Sequence, residues 1–385
     1  MKDSKINNIR IQHLNSKLSF LFFLLSALSC FAQDPSFSQF YANRINLNPA
    51  FTGIEPGLTL AAVSRLQWLN IDNGFQTQGV TAEIQEPFIK SGFGLAISTN
   101  KEGIAELTTT GIGLSYSYTV PFQKSNLHFG IQGQWVQKSV NWDNLIFSDE
   151  LDPALGVVNP TTAAPILQRV SYTDINFGMM YRSENKIRLG KSTYRNIRSL
   201  LGLSINHLPS LFGDVGASES FQALPTKVPP RITLHAGAII PVIIFEGAGN
   251  KFSLSPNIKF DIQGENIFQA DKSLRVLSFG MYTLYEGFHF GAFFQNTNPF
   301  PDLKNTNALI LSFGFYQDGK RPANHADQRF FVGFSIDINT TGVGTRGGNV
   351  YELNLRYTFA DMDPIFLSRK GTKPKQILDC KNFLY

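Results

Sequence analysis

The stretch Tyr351-Glu352-Leu353-Asn354-Leu355-Arg356-Tyr357-Thr358-Phe359 alternates apolar and polar residues without a slip. An extended strand sends successive side chains to opposite faces. One face therefore carries Tyr351, Leu353, Leu355, Tyr357 and Phe359, and the other Glu352, Asn354, Arg356 and Thr358. A fold that accepts this segment must surround the two faces with different media. Either the apolar face packs on a protein core, or it meets lipid while the polar face lines an aqueous interior.

The pattern recurs along the chain. From Gly111, the set Gly111, Gly113, Ser115, Ser117 and Thr119 alternates with Ile112, Leu114, Tyr116, Tyr118 and Val120. Leu127, Phe129, Ile131 and Trp135 interleave with His128, Gln132, Gln134 and Lys138, and Phe330, Val332, Phe334, Ile336 and Ile338 oppose Phe331, Gly333, Ser335, Asp337 and Asn339. Weaker copies begin near Leu58, Phe75, Gly92, Asp174, Ser199, Arg231, Lys251, Asn266, Leu274, Gly287 and Asn307. The expected fold is all-β, a closed antiparallel transmembrane barrel of about 14 strands, each of roughly 10 residues.

A soluble sandwich alternates too, so single strands do not decide. Three features favour the barrel. The polar faces are rich in Gly, Ser, Gln and charge, as a wet lumen requires. Aromatic residues, 13% of the chain with 34 Phe, gather near strand ends as interfacial girdles do. Connections alternate in length when the N-terminus is placed in the periplasm. Residues 86–91 and 121–125 are tight inward turns, 143–171 and 209–230 are long outward loops, and 183–195 is an inward turn longer than the rule wants. Closure removes strand edges that lipid would not tolerate.

Residues 1–32 are set apart from the fold. Lys2, Lys5, Arg10 and Lys17 precede a short run from Leu18 to Ala32, rich in Leu, Phe and Ser, which is too short to span a bilayer at roughly 20 residues. This reads as an export signal cleaved after Ala32. A lipoprotein reading with Cys30 acylated stays open. Downstream of Ala32 no apolar run is long enough for a membrane helix. Without the signal, 30 basic and 28 acidic residues leave a balance of +2, which argues against nucleic acid as a partner. Only Cys380 remains, so no internal disulfide is expected. The domain reading is a signal peptide at 1–32, a periplasmic or plug segment at 33–56, the barrel at 57–360 and a periplasmic tail at 361–385. Arg369, Lys370, Lys373, Lys375 and Lys381 form a basic cluster in that tail.

Catalytic and metal chemistry leave little trace. The six His residues show no metal-ligand spacing, and no G-x-S-x-G is present. Gly342, Gly344 and Gly347 read G-x-G-x-x-G, but between two strands this is a hairpin and not a dinucleotide turn. We expect no cofactor, no metal and no enzymatic activity. Lys138, Asp337, Glu352 and Arg356 fall on inner faces. Two readings stay open for them, a charged conduction path or mutual ion pairs.

The segment Gln39-Phe40-Tyr41-Ala42-Asn43-Arg44-Ile45-Asn46-Leu47-Asn48-Pro49-Ala50-Phe51-Thr52-Gly53 breaks the alternation and is dense in Asn, with Pro and Gly, as in a structured turn. It folds across the periplasmic mouth, enters the lumen as a plug, or is a plain leader to the first strand. Asn48-Pro49-Ala50-Phe51 ending at Gly53, followed by Arg65-Leu66-Gln67-Trp68, resembles the opening of the PorP/SprF family of type IX secretion outer-membrane proteins. The likeness continues through residues 129–153, 202–208 and 333–338 to the final strand and the Cys380 tail. Where that family usually has His-Glu in its last strand, this chain has Tyr351-Glu352.

The resemblance implies a non-enzymatic role in the outer membrane. Expected partners are outer-membrane lipid, the C-terminal domain of a secreted cargo protein such as a gliding adhesin, and other type IX secretion components at the periplasmic face. The rival readings are a porin-like diffusion channel for small solutes and a lipid-modifying enzyme.

Overall fold

Residues that alternate in sequence pair into one continuous sheet. The computed structural model describes residues 34–41, 43–152, 154–158, 160–161, 167–189, 193–212, 219–224, 226–242, 252–269, 273–297, 306–319, 328–340 and 346–359. The strands are β1 (Leu58–Gln67), β2 (Phe75–Glu86), β3 (Ser91–Glu102), β4 (Leu107–Pro121), β5 (Ser125–Ser139), the short pair β6 (Leu151–Asp152) and β7 (Gly156–Val157), β8 (Arg169–Leu189), β9 (Thr193–Asn206), β10 (Arg231–Pro241), β11 (Phe252–Gly264), β12 (Ser273–Tyr285), β13 (Phe288–Thr297), β14 (Thr306–Gly319), β15 (Gln328–Asn339) and β16 (Val350–Phe359). All but β6 and β7 form a closed antiparallel barrel of fourteen strands in which β5 pairs with β8 and β16 pairs with β1. The closing seam runs in register from Leu58↔Phe359 to Gln67↔Val350, so every residue of β1 has a partner there.

The period of two divides the wall into an outer and an inner surface. Outward residues such as Val80, Leu114, Ile131, Leu201 and Phe313 are exposed although apolar. A soluble protein rarely shows so continuous an apolar surface, whereas a bilayer requires it. On β16, Leu353, Leu355 and Phe359 lie outside while Glu352, Asn354, Arg356 and Thr358 are buried within. Outer aromatics meet near the end where β1 begins and β16 stops, as in Phe93–Tyr116, Phe288–Phe315 and Tyr357–Phe359, with ring centroids 5.4, 5.1 and 4.5 Å apart.

That terminal end carries the tight connections 87–90, 122–124 and 286–287. Glu286-Gly287 joins β12 to β13 with positive φ at both residues, as a type I′ hairpin demands. The opposite end, here the loop end, carries the long connections 140–168 and 207–230. Two local expectations are corrected. Residues 183–195 are not a long turn. Residues 183–189 and 193–195 extend the β8–β9 hairpin, with Ser183 paired to Ser199 and Leu189 to Thr193, because ladder hydrogen bonds continue past the apolar alternation. No strand starts near Asn266, where Asn266 heads a turn closed by a hydrogen bond from Gln269 N–H to its carbonyl.

The densest apolar packing lies inside the barrel. Phe40, Tyr41, Leu47, Ala50, Phe51 and Ile54 from the segment ahead of β1 pack against Met180, Leu200, Tyr282, Phe293, Ala308, Ile310 and Phe331 from the inner wall. A lumen expected to be wet thus holds a segment of the chain itself, packed on its inner wall. The inward Phe331, which sequence grouped with polar residues, belongs to that packing. Residues 1–32, the tail 361–385, Cys30, Cys380, Gly342 and Gly344 lie outside the described residues.

Candidate functional site

The lumen is the candidate site, and the plug is built from its own sequence upward. Arg44–Leu47 forms a single helical turn, α1, and Pro49–Phe51 a single 3-10 turn. Asn48 separates them, extended in backbone, and its side-chain oxygen accepts the Ala50 N–H at 2.9 Å. Pro49 takes the first position of the turn, where a missing N–H costs nothing. Thr52 closes the turn, its hydroxyl donating to the Pro49 carbonyl at 2.8 Å. Gly53 then reverses the chain with φ +62.

This capped turn is pressed against glycines of the wall. A Cβ at Gly92 on β3 would lie 2.3 Å from the Thr52 carbonyl oxygen, one at Gly130 on β5 would lie 2.2 Å from the Pro49 carbonyl carbon, and one at Gly178 on β8 would lie 2.0 Å from Asn48 Oδ1. The paired strands β5 and β8, and β3 beyond β4, therefore lack side chains where the plug lies against them. The Asn48 amide nitrogen reaches the Met179 carbonyl at 3.2 Å, the Leu203 carbonyl at 3.1 Å and His235 Nε2 at 3.1 Å. The Ser204 hydroxyl donates to the Leu47 carbonyl at 2.7 Å, and the Ser117 hydroxyl to the Thr52 carbonyl at 2.6 Å. Phe51 stacks on His235 with centroids 5.4 Å apart, and Phe40 lies against Phe293 at 5.0 Å. Asn48, Ala50 and Phe51 have no exposed surface.

Ion pairs hold the plug at two further points. Arg44 lies 2.7 Å from Glu55 and 3.2 Å from Glu83 of β2, whose other oxygen accepts the Gly53 N–H at 2.9 Å. Burial alone would raise the Glu55 carboxyl. The Arg44 and Arg356 guanidiniums, with hydrogen bonds from Arg44 and Thr358, outweigh it and bring the pKa down to about 2. Arg356 also donates to the Tyr41 carbonyl at 2.7 Å. At the segment's beginning Glu352 accepts the Ser38 and Gln39 N–H groups at 2.7 and 3.1 Å. Arg65 of β1 sits between Asp337 at 3.1 Å and Glu352 at 3.3 Å, and also donates to the Ser38 hydroxyl.

Most of the residues singled out from sequence thus fall in two places. Asn48, Pro49, Ala50, Phe51 and Gly53 form the plug turn, and Arg65, Asp337, Glu352 and Arg356 form its ionic seat. Gln67 ends β1 opposite Phe75 and Val350. Trp68 leaves the wall in a left-handed conformation with φ 62 and meets Phe75 edge-on at 5.0 Å. Lys138 stands apart at the loop end, paired to Glu219 at 2.6 Å. Sequence reasoning named Tyr41 and Arg44 only as members of the segment 39–53, and missed Ser38, Glu55, Glu83 and His235. The available signal was charge at inward strand positions, where Glu83 and His235 stand among apolar and small neighbours.

An apolar outer surface, a closed sheet and a lumen occupied by the chain itself define a plugged β-barrel of the outer membrane. The family model for the type IX secretion system membrane protein PorP/SprF matches residues 29–357. The chain belongs to this family, which is one of secretion-system membrane proteins and not of enzymes. Solved structures similar to it include the outer membrane protein Omp33 of Acinetobacter baumannii (9% identity, 80% of this chain and 100% of that one, TM-score 0.36). Others are the toluene transporter TodX of Pseudomonas putida (10%, 86% and 95%, 0.40) and BamA of Haemophilus ducreyi lacking POTRA domains 1–3 (9%, 79% and 70%, 0.36). No curated protein matches the chain.

Proposed function

We propose that this barrel binds cognate secreted proteins of the type IX system, gliding adhesins among them, and supports their export or attachment at the cell surface. It works by binding and not by conduction. The observation that carries the reading is the lumen filled by residues 35–57, seated on Glu83, Glu352 and Arg356. A diffusion channel for small solutes has no use for a plug held by a buried Arg44 and a fully buried Asn48. In this reading residues 1–32 are removed on export, the terminal end and the tail 361–385 face the periplasm and other type IX components, and the long connections 143–171 and 209–230 face outward. Long loops on a rigid scaffold are where recognition is usually placed, so cargo is met there, through its C-terminal domain.

Deleting the gene while following surface display of the adhesin encoded beside it tests the proposal. Display should fall, and unchanged display rejects the role. Affinity purification of the full chain with mass spectrometry of co-eluting proteins should recover type IX components together with that adhesin.

A further inference from the structure

The two ends of the barrel differ in charge. Among the described residues, the connections at the loop end hold eight Asp and Glu against two Lys and Arg, whereas those at the terminal end hold one against two. Four of the acids, Asp143, Asp149, Glu150 and Asp152, lie in 140–168, which has no Lys or Arg. The same connection carries the β6–β7 pair, in which Leu151 is paired with Val157 and Asp152 with Gly156. Among the described residues this sheet has two strands, which leaves an edge on either side of the pair. Ile146, Leu151, Leu155, Val157 and Val158 around it are exposed, Leu155 at 74%.

This projection is braced. Asn141 N–H donates to the Ala105 carbonyl at 2.8 Å, Trp142 meets Phe221 edge-on at 5.8 Å, and Leu167 N–H donates to the Phe221 carbonyl at 3.0 Å. Glu219 joins Lys138 and the Tyr172 hydroxyl beneath it. The Ala154 and Leu155 N–H groups bond Asp152 Oδ1 and hold that exposed carboxyl below its usual range, so it stays ionised. A partner thus meets an ordered, apolar, anionic edge with little ordering left to do. The carboxylates repel a second copy of the edge and anionic lipid headgroups alike, and favour cations.

We propose that the β6–β7 edge receives an extended segment of a partner protein in which apolar residues alternate with Lys or Arg, added as a third strand. This rests on the reading that the loop end faces outward and meets secreted proteins. The test uses the full chain in detergent micelles and two labelled peptides, one alternating Val and Lys and one alternating Val and Glu, followed by fluorescence anisotropy. The Val/Lys peptide should bind and the Val/Glu peptide should not. Val157→Asp should weaken binding about tenfold or more, and Asp143→Lys/Asp149→Lys should weaken it similarly and flatten its salt dependence. Heat-shifted gel mobility of each variant reports an intact barrel.

Equal binding of the two peptides, or variants that bind like the wild type, overturn the proposal. So does a Val157→Asp variant that loses only its association with lipopolysaccharide vesicles, which makes the edge a lipid contact. Adhesin display in the deletion strain is read separately. Peptide binding without a display defect removes the secretion role and leaves the docking edge, while a display defect without peptide binding removes the docking edge alone.

Discussion

Arg44 is buried between two carboxylates, Glu55 at 2.7 Å and Glu83 at 3.2 Å, and its removal leaves both without their nearest cation. Stripping one partner from a buried pair typically costs about 3–5 kcal/mol, because a charge stays buried uncompensated. Arg44→Met should therefore unseat residues 35–57 while the strands persist, visible as faster amide hydrogen exchange in that segment with unchanged barrel signals. Glu55 makes the same seat sensitive to acid. Its folded pKa of about 2 lies below the ordinary 4.5, so its stabilisation is complete above pH 4.5 and is lost as pH falls through about 2. The stability difference between wild type and Glu55→Gln, read by hydrogen exchange of 35–57, should shrink across that interval. A difference independent of pH would show that the Glu55 charge is not what holds the plug.

At the scale of elements, the seat depends on strands with glycine where the plug turn touches them. Gly178→Val would put side-chain atoms where Asn48 Oδ1 lies, and Gly130→Val where the Pro49 carbonyl lies. Since β5 and β8 keep their ladder, each variant should retain a folded barrel yet expose Phe40, Tyr41 and Phe51 to chymotrypsin, which should leave the buried wild-type segment uncut. The strands themselves were legible because a period of two is local: each nine-residue window of β4, β5, β15 or β16 declares its two faces without reference to any other. The plug was not legible in the same way. Asn48 finds its partners at Met179, Leu203 and His235, 131, 155 and 187 residues away, and nothing in the segment 39–53 encodes that distance. What local sequence does encode is the capped turn Asn48-Pro49-Ala50-Phe51, whose chemistry is complete before it docks. The missing hint was the series of inward glycines, which alternation alone reads as ordinary lumen-facing residues. Asn266 misled for the opposite reason, because the apolar pair Ile267-Phe268 between polar residues belongs to a turn that leaves Phe268 exposed.

For the whole molecule, strand number sets the problem that the plug solves. A barrel of about 8 strands is filled by its own inward side chains, and one of 16–18 leaves an aqueous channel. Fourteen strands fall between, too wide for side chains alone to meet across the axis. The folded segment 35–57 supplies the missing layer, with Phe40, Tyr41 and Phe51 at the centre and ion pairs at the wall. In planar bilayers the intact protein should therefore be nearly silent, and deletion of 35–57 should yield steady conductance. Misfolding of the deletion is controlled by a cross-link: the Thr52 and Ser115 hydroxyl oxygens lie 3.0 Å apart, so Thr52→Cys/Ser115→Cys, in a background without Cys30 and Cys380, should bridge plug to wall. Adding Arg44→Met to that pair separates the outcomes. Oxidised, the triple variant should stay silent, and reduced, it should open, because only the disulfide then replaces the lost ionic seat. Steady conductance from the intact or the oxidised protein would mean that ions pass around the segment, and a solute channel would then be the better account of the barrel.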